Sequence, residues 1–455
     1  MSGTAELTAA CRPAPADELA HLAAALPGGD LLASYVDTSP QPATCAVQDW
    51  AAWGLARLTG PADGPATAPA APVAARVRAL TAGITALLDP VPVGSQSGRP
   101  GNPAATDPAQ LLGPQPGRPQ PSPHRPGNPA ATMIDPAALL TGRASLHGWV
   151  RAGRTSVNGT CRLVRAADGW LAVNLSRPSD LELLPALLQT EFTGDPWDAL
   201  ASAASRRPAA DLAARAQLLG TPAVVLGSDA DLAPLRWWLV GAPAPAGTDV
   251  VLDLSAMWAG PLCAHLLGRA GAQVVKVEDV HRPDGARFGP PEFYAELHAG
   301  HASVVLDFAT ADGRAALHAL AAEADVVIES SRPRALRALG LIADEWLAAG
   351  PGRTWISITG YGRDDPADRV AFGDDAAVAG GLVAEAADGT PLFCADAIAD
   401  PLTGLYAALA GLTSRAAGGG HLLDVAMAGV AADIGRPGEG TVRGHAIDAT
   451  GVHPC

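Results

Sequence analysis

Lysine is nearly absent from this chain of 455 residues. Of its 31 basic residues only Lys276 is a lysine, so arginine carries almost all of the positive charge. The formal net charge is −15, which argues against a nucleic-acid-binding protein, because phosphate backbones require a basic surface. An anionic small molecule would therefore have to bind at a local basic patch on an acidic protein.

Clustered cysteines and long apolar runs are also lacking. The six cysteines show no C-x-x-C pair and no Cys/His cluster at ligand spacing, so we expect neither a disulfide framework nor a metal site. No apolar run reaches ~18 residues, so we expect no transmembrane helix. The start, MSGTAELTAACRPAPADELA, has no basic stretch followed by a long apolar run, so we expect no signal peptide and a cytoplasmic protein. The cysteines are Cys11, Cys45, Cys161, Cys263, Cys394 and Cys455.

A segment rich in proline, glycine and serine divides the chain. Residues 91–132 contain the stretch RPGNPAAT twice, and their composition predicts a linker or loop after an N-terminal segment of residues 1–90. Residues 133–243 are predicted to form a small α+β unit. In this unit two strands flank the Asp168-Gly169 turn and are followed by amphipathic helical runs.

Residues 244–435 alternate short strands rich in β-branched residues with helical patterns. The strands are VVLDL, AQVVKVE, SVVLDF, ADVVIES and TWISITG. Near-continuous apolar strands separated by helices predict a parallel sheet that is covered on both faces. The predicted fold class is therefore α/β, with a Rossmann-like parallel-sheet domain and a second, smaller α+β domain, and we expect ligands beyond the carboxyl ends of the strands. Residues 436–455 are Gly-rich and polar and are predicted to be a tail.

Two distant segments of the chain resemble each other. Residues 53–88 and 380–414 each contain a Gly-Leu pair, an Asp-Gly turn and a helix of small residues. Two Ala-rich helices after turns can match by composition alone, so the similarity indicates either an internal repeat or a coincidence of composition.

Six motifs follow one another between residues 251 and 375. They are VLDLSAMWAGP, LLGRAGAQVVKVE, HAGHASVVLDF, ADVVIESSRPRALRALG, WISITGYG and AFGDD, and IADPLTGLYAALAGL comes next. In amino-acid sequence, order and spacing the motifs resemble those of the family III CoA-transferases, of the carnitine and bile-acid CoA-transferase type. The resemblance implies an enzyme that moves coenzyme A from an acyl-CoA to a carboxylic acid, with acyl-CoA as a substrate, no metal and a homodimer.

The order of the segments departs from that family. WGLARLTGPADGP near the start resembles the family segment that follows the catalytic aspartate, and residues 133–240 resemble the small domain after it, including DGWLAV. The chain therefore resembles a permuted or fused-and-trimmed version of the fold, which leaves open whether one chain or two complete a site.

The acidic pair in AFGDD is the predicted chemical centre. By resemblance, an aspartate attacks the acyl-CoA carbonyl, forms an anhydride and then an aspartyl-CoA thioester, and passes CoA to the acceptor acid. Alignment without gaps makes Asp374 this nucleophile, and a shift by one residue makes it Asp375; we favour Asp374. Two aspartates here can also simply cap a helix beginning at Ala376. Gly380 and Gly381 resemble the glycine loop that covers the nucleophile, although a helix stop uses the same residues.

The predicted CoA site lies in the loops after the strands. The resemblance places the first strand–helix turn, Ala259-Gly260-Pro261, against the cofactor. Arginines beyond the strand ends are expected to bind the CoA phosphates, since a guanidinium group binds phosphate through two hydrogen bonds, although ordinary surface arginines are the alternative. The remaining predicted CoA-contacting residues are Glu278, Arg282, Arg287, Ser330, Ser331, Arg332, Arg334 and Arg337.

Departures from the family motifs keep two alternatives open. HAGHAS lacks the basic residues of the family, and Ser330-Ser331 replaces an asparagine and an aromatic residue. A non-catalytic CoA-binding subunit is one alternative. A 2-methylacyl-CoA racemase is the other, but no histidine lies between His318 and His421 to act as its proton-transfer partner. A dinucleotide-binding dehydrogenase is disfavoured, because the turn AMWAGP lacks G-x-G-x-x-G.

Overall fold

The structure, a computed structural model, describes residues 15–30, 46–88, 134–245, 247, 249–437, 445–448 and 451–454. The predicted linker of residues 91–132 lies outside these ranges. None of the described helices is long and apolar enough to cross a membrane.

The helices and strands mostly coincide with the patterns in the sequence. The helices are α1 Pro15–Ala25, α2 Ala46–Ala52, α3 Val73–Leu88, α4 Pro136–His147, α5 Pro178–Glu182, α6 Leu184–Leu188, α7 Pro196–Ala204, α8 Ala209–Leu218, α9 Ala259–Arg269, α10 Pro291–Leu297, α11 Ala311–Glu323, α12 Pro333–Ala338, α13 Ala343–Ala348, α14 Gly373–Ala379, α15 Ala399–Ala416 and α16 Met427–Gly435. Short 3-10 helices cover Leu55–Leu58 and Gly285–Phe288. The strands are β1 Ala66–Ala68, β2 Cys161–Arg165, β3 Trp170–Asn174, β4 Ala223–Val225, β5 Leu235–Leu239, β6 Val250–Leu254, β7 Gln273–Asp279, β8 Ala302–Leu306, β9 Val326–Glu329, β10 Thr354–Thr359, β11 Ala384–Glu385, β12 Pro391–Leu392, β13 His421–Ala426, β14 His445–Asp448 and β15 Gly451–Pro454.

A mostly parallel sheet forms the centre of the described structure and confirms the predicted α/β class. Its strand order is β5-β13-β10-β9-β6-β7-β8. All neighbouring pairs are parallel except β5 with β13. β6 lies between β9 and β7, so the loops after these three strands meet at one edge of the sheet, where α/β folds bind ligands.

Helices cover both faces of this sheet. Val251 of β6 packs in a core with Leu262 of α9 and Leu405 of α15. The next residue, Leu252, packs in a second core with Leu317 of α11 and Leu347 of α13. Because successive strand residues point to opposite faces, two covered faces require strands that are apolar at almost every position, as these are.

A smaller antiparallel sheet carries residues that hold the acidic helix. Its strand order is β2-β3-β4. One face packs against α6, α7 and α8 in a core of its own, which includes Leu171, Leu187 and Leu212. The opposite face, with Ala172, packs against Val378 of α14. The small unit therefore supports α14 directly.

Three strands join sheets across the boundaries predicted from sequence. β5 falls within the predicted small unit of residues 133–243, but it pairs with β13 in the large sheet. β14 and β15 fall within the predicted tail, but together with β1 they form a three-stranded antiparallel sheet. In both cases the partner strand is distant in sequence, so the local pattern gave no indication of the pairing.

The two similar segments of the sequence also adopt similar conformations. Gly54 and Gly381 both lie in the left-handed region, with φ of 77° and 80°, where residues with a side chain are strained. A long helix follows each glycine, α3 after Gly54 and α15 after Gly381, and these two helices pack against each other. This shared conformation favours an internal repeat over a coincidence of composition.

Candidate active site

The backbone before α14 is fixed by the small unit. The Gln217 side chain donates to the carbonyl oxygen of Val370 and accepts from its N–H, both at 2.9 Å. The Arg177 guanidinium lies 5.8 Å from the centre of the Phe372 ring. These contacts fix the chain just before the two aspartates.

Asp374 lies in the first turn of α14 and is only 3% exposed. Its Oδ2 accepts a hydrogen bond from Asn158 Nδ2 at 3.1 Å, and its Oδ1 accepts one from the backbone N–H of Ala397 at 3.0 Å. Asn158 precedes β2 and Ala397 precedes α15. Two parts of the chain that are distant in sequence, the segment before β2 and the segment before α15, therefore position the Asp374 carboxylate.

Asp375 is fully buried and caps the helix. Its carboxylate accepts from the backbone N–H of Phe372, at 3.1 and 3.2 Å to the two oxygens, and from Asn174 Nδ2 at 3.0 Å. α14 begins at Gly373 and not at Ala376, so both aspartates lie inside its first turn. The capping role considered for the pair is thus the role of Asp375.

The two aspartates differ in their protonation. Burial raises the pKa of Asp374 to about 6, and the Asp396 carboxylate adds to the rise while the Arg143 guanidinium opposes it. Burial raises the pKa of Asp375 to about 8, against hydrogen bonds from Asn174 and Phe372. At pH 7 Asp374 is therefore mainly ionised and Asp375 mainly protonated, which favours Asp374 as the nucleophile.

An ion pair that the sequence analysis did not identify lies beside Asp374. Arg143 Nε and Nη2 donate to the two oxygens of Asp396 at 2.8 and 2.6 Å. The Arg143 side chain is 13% exposed and that of Asp396 is fully buried. The same guanidinium lies 4.5 Å from the centre of the Trp258 ring. Arg143 therefore links the aspartates to the residue that precedes α9.

A fourth carboxylate, that of Asp400, adjoins the first residue of α14. A Cβ atom on Gly373 would lie 2.3 Å from Asp400 Oδ2 and 2.3 Å from the carbonyl oxygen of Ala397. Burial raises the pKa of Asp400 to about 7, with Arg143 opposing the rise. Close approach thus explains the glycine at position 373, and the carboxylates share Arg143 as a counter-charge.

The predicted cofactor-facing turn begins α9. Ala259, Gly260 and Pro261 are all buried. A Cβ atom on Gly260 would lie 2.2 Å from Ser255 Cβ, so strand and helix pack closely here. The exposed part of this turn is the preceding loop at residues 256 and 257.

The single lysine of the chain fixes this loop. Lys276 Nζ lies 3.0 Å from Asp284 Oδ2 and 3.5 Å from Asp253 Oδ2, and it donates to the carbonyl oxygen of Ser255. Asp284 in turn accepts from the backbone N–H of Met257 at 2.9 Å. A buried cation and two carboxylates thus join the loops after β6 and β7.

Glu278 and Arg287, both predicted to contact CoA, contact each other. Arg287 Nη2 donates to Glu278 Oε1 at 2.6 Å. The Tyr294 hydroxyl and the Asp284 N–H donate to the same carboxylate at 3.1 and 2.7 Å. Burial favours the neutral acid, but these hydrogen bonds outweigh it and lower the pKa of Glu278 to about 2. This network orders the loop that exposes Arg282.

The arginines after β9 lie at the surface. Arg332 and Arg334 contact Asp368 at 3.5 and 3.0 Å, with side chains 35% and 70% exposed. Arg337 is exposed near the end of α12. With Arg282, these side chains form a set of cations at the carboxyl edge of the large sheet.

The predicted serines lie between the loops of that edge. Ser330 Oγ accepts from the backbone N–H of Ala256 at 3.1 Å, which joins the loop after β9 to the loop after β6. Ser331 Oγ is buried and has no hydrogen-bond partner among the described residues.

Gly380 and Gly381 lie at the opposite end of α14 from Asp374, roughly 9 Å along the helix axis. A Cβ atom on Gly380 would lie 2.5 Å from backbone atoms of Ala428 and Ala432, so this glycine permits α14 to pack on α16. Both glycines line a cavity of about 430 Å³ together with residues 68–71. In this conformation they do not cover Asp374.

Only the fold brings the partners of the aspartates together. Asn158, Asn174 and Arg143 belong to the small-unit part of the chain and carry no recognisable motif. Asp396 precedes α15 and Asp400 lies in its first turn, and this four-residue spacing of aspartates at the start of a long helix is a signal in the sequence. Within the described ranges no group of His, Cys, Asp or Glu side chains is placed to hold a metal ion.

A comparison with protein families matches the second part of the chain. Residues 248–437 match the model of CoA-transferase family III. This range holds the large sheet except β5, together with α9 to α16. Arg143, Asn158 and the small sheet lie outside it.

Curated relatives and solved structures cover a similar share of the chain. The succinyl-CoA–D-citramalate CoA-transferase of Chloroflexus aurantiacus is 32% identical over 197 residues, which are 40% of this chain and 49% of the relative. The succinyl-CoA:glutarate CoA-transferase of Homo sapiens is 32% identical over 167 residues, 34% of this chain and 38% of the relative. A CAIB/BAIF family protein from Brucella suis is 30% identical, covers 42% of this chain and 55% of its own, and has a TM-score of 0.38. The chain thus spans about half the length, or less, of the curated relatives it matches.

Proposed function

We propose that the protein, whose residues 248–437 match the model of CoA-transferase family III, transfers coenzyme A from an acyl-CoA to a carboxylic acid. The observation that carries this proposal is the state of Asp374. It is a buried, ionised carboxylate between two hydrogen-bond donors, next to a second aspartate that is protonated at neutral pH. A desolvated carboxylate of this kind is a good nucleophile toward a thioester.

The reaction begins on the carboxylate of Asp374. It attacks the thioester carbonyl carbon, the C–S bond breaks, and CoA leaves as a thiolate, which gives a mixed anhydride. The thiolate then attacks the Asp374 carbonyl carbon, which releases the donor acid and leaves an aspartyl-CoA thioester. One difficult exchange is thereby divided into easier ones.

The acceptor acid completes the cycle. Its carboxylate attacks the aspartyl-CoA thioester, CoA leaves again as a thiolate, and a second anhydride forms. The thiolate attacks the acceptor carbonyl of this anhydride, which releases the new acyl-CoA and restores the Asp374 carboxylate. Each step exchanges one activated acyl bond for another, so bonds and charges balance without a net gain or loss of protons.

CoA is proposed to bind at the carboxyl edge of the large sheet. Arg282, Arg334 and Arg337 are exposed there and would contact its phosphates. Ser331 offers an unpaired hydroxyl in the same loops. Trp258, which follows the loop after β6, contacts Arg143, and Arg143 pairs with Asp396 beside Asp374, so packed side chains join this edge to the aspartates.

Trapping of the covalent intermediate tests the proposal. The protein is incubated with succinyl-CoA, because two of its relatives are named for this donor, and with a panel of other acyl-CoAs. Hydroxylamine is then added, and the peptides are analysed by mass spectrometry. We expect a hydroxamate on the Asp374 peptide of the natural protein and of Asp375→Asn, and none with Asp374→Asn. A hydroxamate on Asp375 alone would reassign the nucleophile.

A non-catalytic CoA-binding subunit is the second candidate. It is favoured by the 3% exposure of Asp374, both of whose oxygens are already hydrogen-bonded. CoA binding without any adduct across the panel would support this candidate and contradict the transferase.

One chain supplies all the contacts of the proposed nucleophile described above. Asn158 and Arg143 come from the part of the chain before β2, and Asp374 and Asp396 come from the family segment. The homodimer implied by the resemblance stays a prediction, which sedimentation of the purified protein would test.

A further inference from the structure

The pair of Arg143 and Asp396 has features that packing alone does not explain. Arg143 lies outside the family-matched segment, and Asp396 is 253 positions away from it in the chain. A buried ion pair is usually no more stabilising than apolar residues of the same size. Its presence beside a carboxylate nucleophile therefore points to a role in the site.

The pair holds an unusual loop. Ala395 and Ala397, on either side of Asp396, have φ of 54° and 41°, a region that residues with a side chain rarely adopt. The N–H of Ala395 donates to Thr59 Oγ1 at 3.0 Å, and the N–H of Ala397 donates to Asp374 Oδ1 at 3.0 Å. The strained backbone thus aims a donor at Asp374, and the two hydrogen bonds from Arg143 hold the side chain between the two alanines.

Arg143 is itself held on its other side. Its guanidinium lies 4.5 Å from the centre of the Trp258 ring and 5.9 Å from that of Phe293. Nε and Nη2 are used by Asp396, while Nη1 has no hydrogen-bond partner among the described residues. The Arg143 guanidinium is therefore fixed by two aromatic rings and by the Asp396 carboxylate. Its charge also acts on Asp374 and Asp400.

We propose that Arg143 is a positioning residue for Asp374: paired with Asp396, it holds the loop that donates to the nucleophile and places a positive charge beside the site. The proposal rests on the proposed CoA-transferase function. It adds a residue from outside the family-matched segment to the machinery of the site.

The charges around Asp374 have opposite effects on its pKa. Asp396 raises the pKa and Arg143 lowers it, while the hydrogen bonds from Ala397 and Asn158 also lower it. The other titratable groups that face this cluster are Asp375, Asp400 and the buried thiol of Cys161. Removal of Arg143 should therefore raise the pKa of Asp374, and removal of Asp396 should lower it. If the pair had only a structural role, the two removals would leave this pKa unchanged or shift it in the same direction.

The test compares four variants in the full chain: Arg143→Met, Arg143→Lys, Asp396→Asn and the double variant Arg143→Met/Asp396→Asn. The first readout is the pH profile of kcat/KM. The second is the carbon-13 NMR titration of aspartate carboxyl groups, in which the signal of Asp374 is assigned by its absence in Asp374→Asn. The NMR titration needs no turnover, so it separates failure of this inference from failure of the proposed transferase.

Opposite shifts are expected from the two single variants. Arg143→Met should raise the Asp374 midpoint by about one pH unit, so that activity below the midpoint falls about tenfold more than activity above it. Asp396→Asn should lower the midpoint, the double variant should lie between the two, and Arg143→Lys should stay near the natural value. The double variant removes both members of the ion pair together, so it reports on the site if a single variant does not fold. Midpoints that are unchanged, or that shift in the same direction in both single variants, would overturn the inference.

Discussion

Asp374 and Asp375 are neighbours in sequence but differ in their surroundings. Successive residues of a helix point about 100° apart, so Asp374 faces Asn158 and Ala397, and Asp375 turns back to Phe372. Burial acts on both, but only Asp374 has a nearby guanidinium to oppose it. Two identical side chains thus separate into a proposed nucleophile and a helix cap.

Replacement of each aspartate by asparagine should therefore have different effects on activity. Asp374→Asn removes the nucleophile and should lower kcat by at least about 10³. Asp375→Asn resembles the protonated acid already present at neutral pH and should keep kcat within about tenfold. Steady-state CoA transfer, followed by chromatography of the acyl-CoAs, measures both. Equal loss in the two variants would contradict the division of roles.

The raised pKa of Asp375 also predicts how stability depends on pH. Between about pH 4 and pH 8 the folded protein keeps the proton of Asp375 while the unfolded chain releases it. The free energy of unfolding should therefore fall as pH rises through this window, and the contribution should become constant above it. Asp375→Asn removes this contribution.

Urea unfolding at pH 5 and pH 8 measures the difference. Asp374 and Asp400, whose pKa values are also raised, titrate in both proteins, so their contributions cancel in the comparison. The natural protein should therefore lose more stability over this interval than Asp375→Asn. The same loss in both would show that Asp375 titrates normally in the folded state.

At the scale of elements, α14 depends on close contact with its neighbours. Its first residue, Gly373, touches the Ala397 carbonyl and the Asp400 carboxylate, and its last turn packs on the small sheet. The sequence motif gave the place of this helix but not its start, because the residue that begins it is chosen by these tertiary contacts.

Gly373→Ala should damage both stability and activity. The added Cβ would lie 2.3 Å from two oxygen atoms, and such overpacking typically costs about 1–3 kcal/mol. Gly142→Ala in α4 is the matched control, since a Cβ there meets no atom within 4 Å and a helix-interior alanine stabilises by roughly 0.5–1 kcal/mol. Urea midpoints of the two variants should move in opposite directions. A neutral effect of Gly373→Ala would show that α14 can shift away from Asp400.

At the scale of the whole molecule, the two halves of the chain meet at the proposed nucleophile. α3 packs against α15 through buried residues that include Val77, Leu80 and Ile84. The small unit adds Asn158 and Arg143. The contacts of the proposed nucleophile are thus assembled from parts of the chain that are distant in sequence.

A chain cut between residues 91 and 132 should remain associated. The contact of α3 with α15 is apolar and buried, and exposure of both faces would be unfavourable. A protease site inserted in this segment tests the prediction: after cleavage the two fragments should coelute in gel filtration at low salt and at high salt. Separation of the fragments without denaturant would show that the covalent link is needed.

The large sheet and the acidic pair were predictable for local reasons. A parallel strand that is buried on both faces must be apolar along its length. The positions of β6, β7, β9 and β10 can therefore be predicted from their short runs of apolar residues. The partners of Asp374 were not predictable, because an asparagine in a loop and an arginine on a short helix carry no local signature of what they contact. β5 and β14 were missed for the same reason, since a strand of four or five residues is defined by its distant partner.

The sequence by itself determined the α/β class, the order of strands and helices in the second half, and the place of the two aspartates. Burial patterns and ordered motifs are properties of neighbouring residues, so they can be read without a structure. Only the tertiary structure decided which aspartate is ionised, where α14 begins, and that Arg143, Asn158 and Asp396 surround Asp374. These depend on desolvation and on distances between atoms far apart in the chain, and both come into existence only when the chain folds.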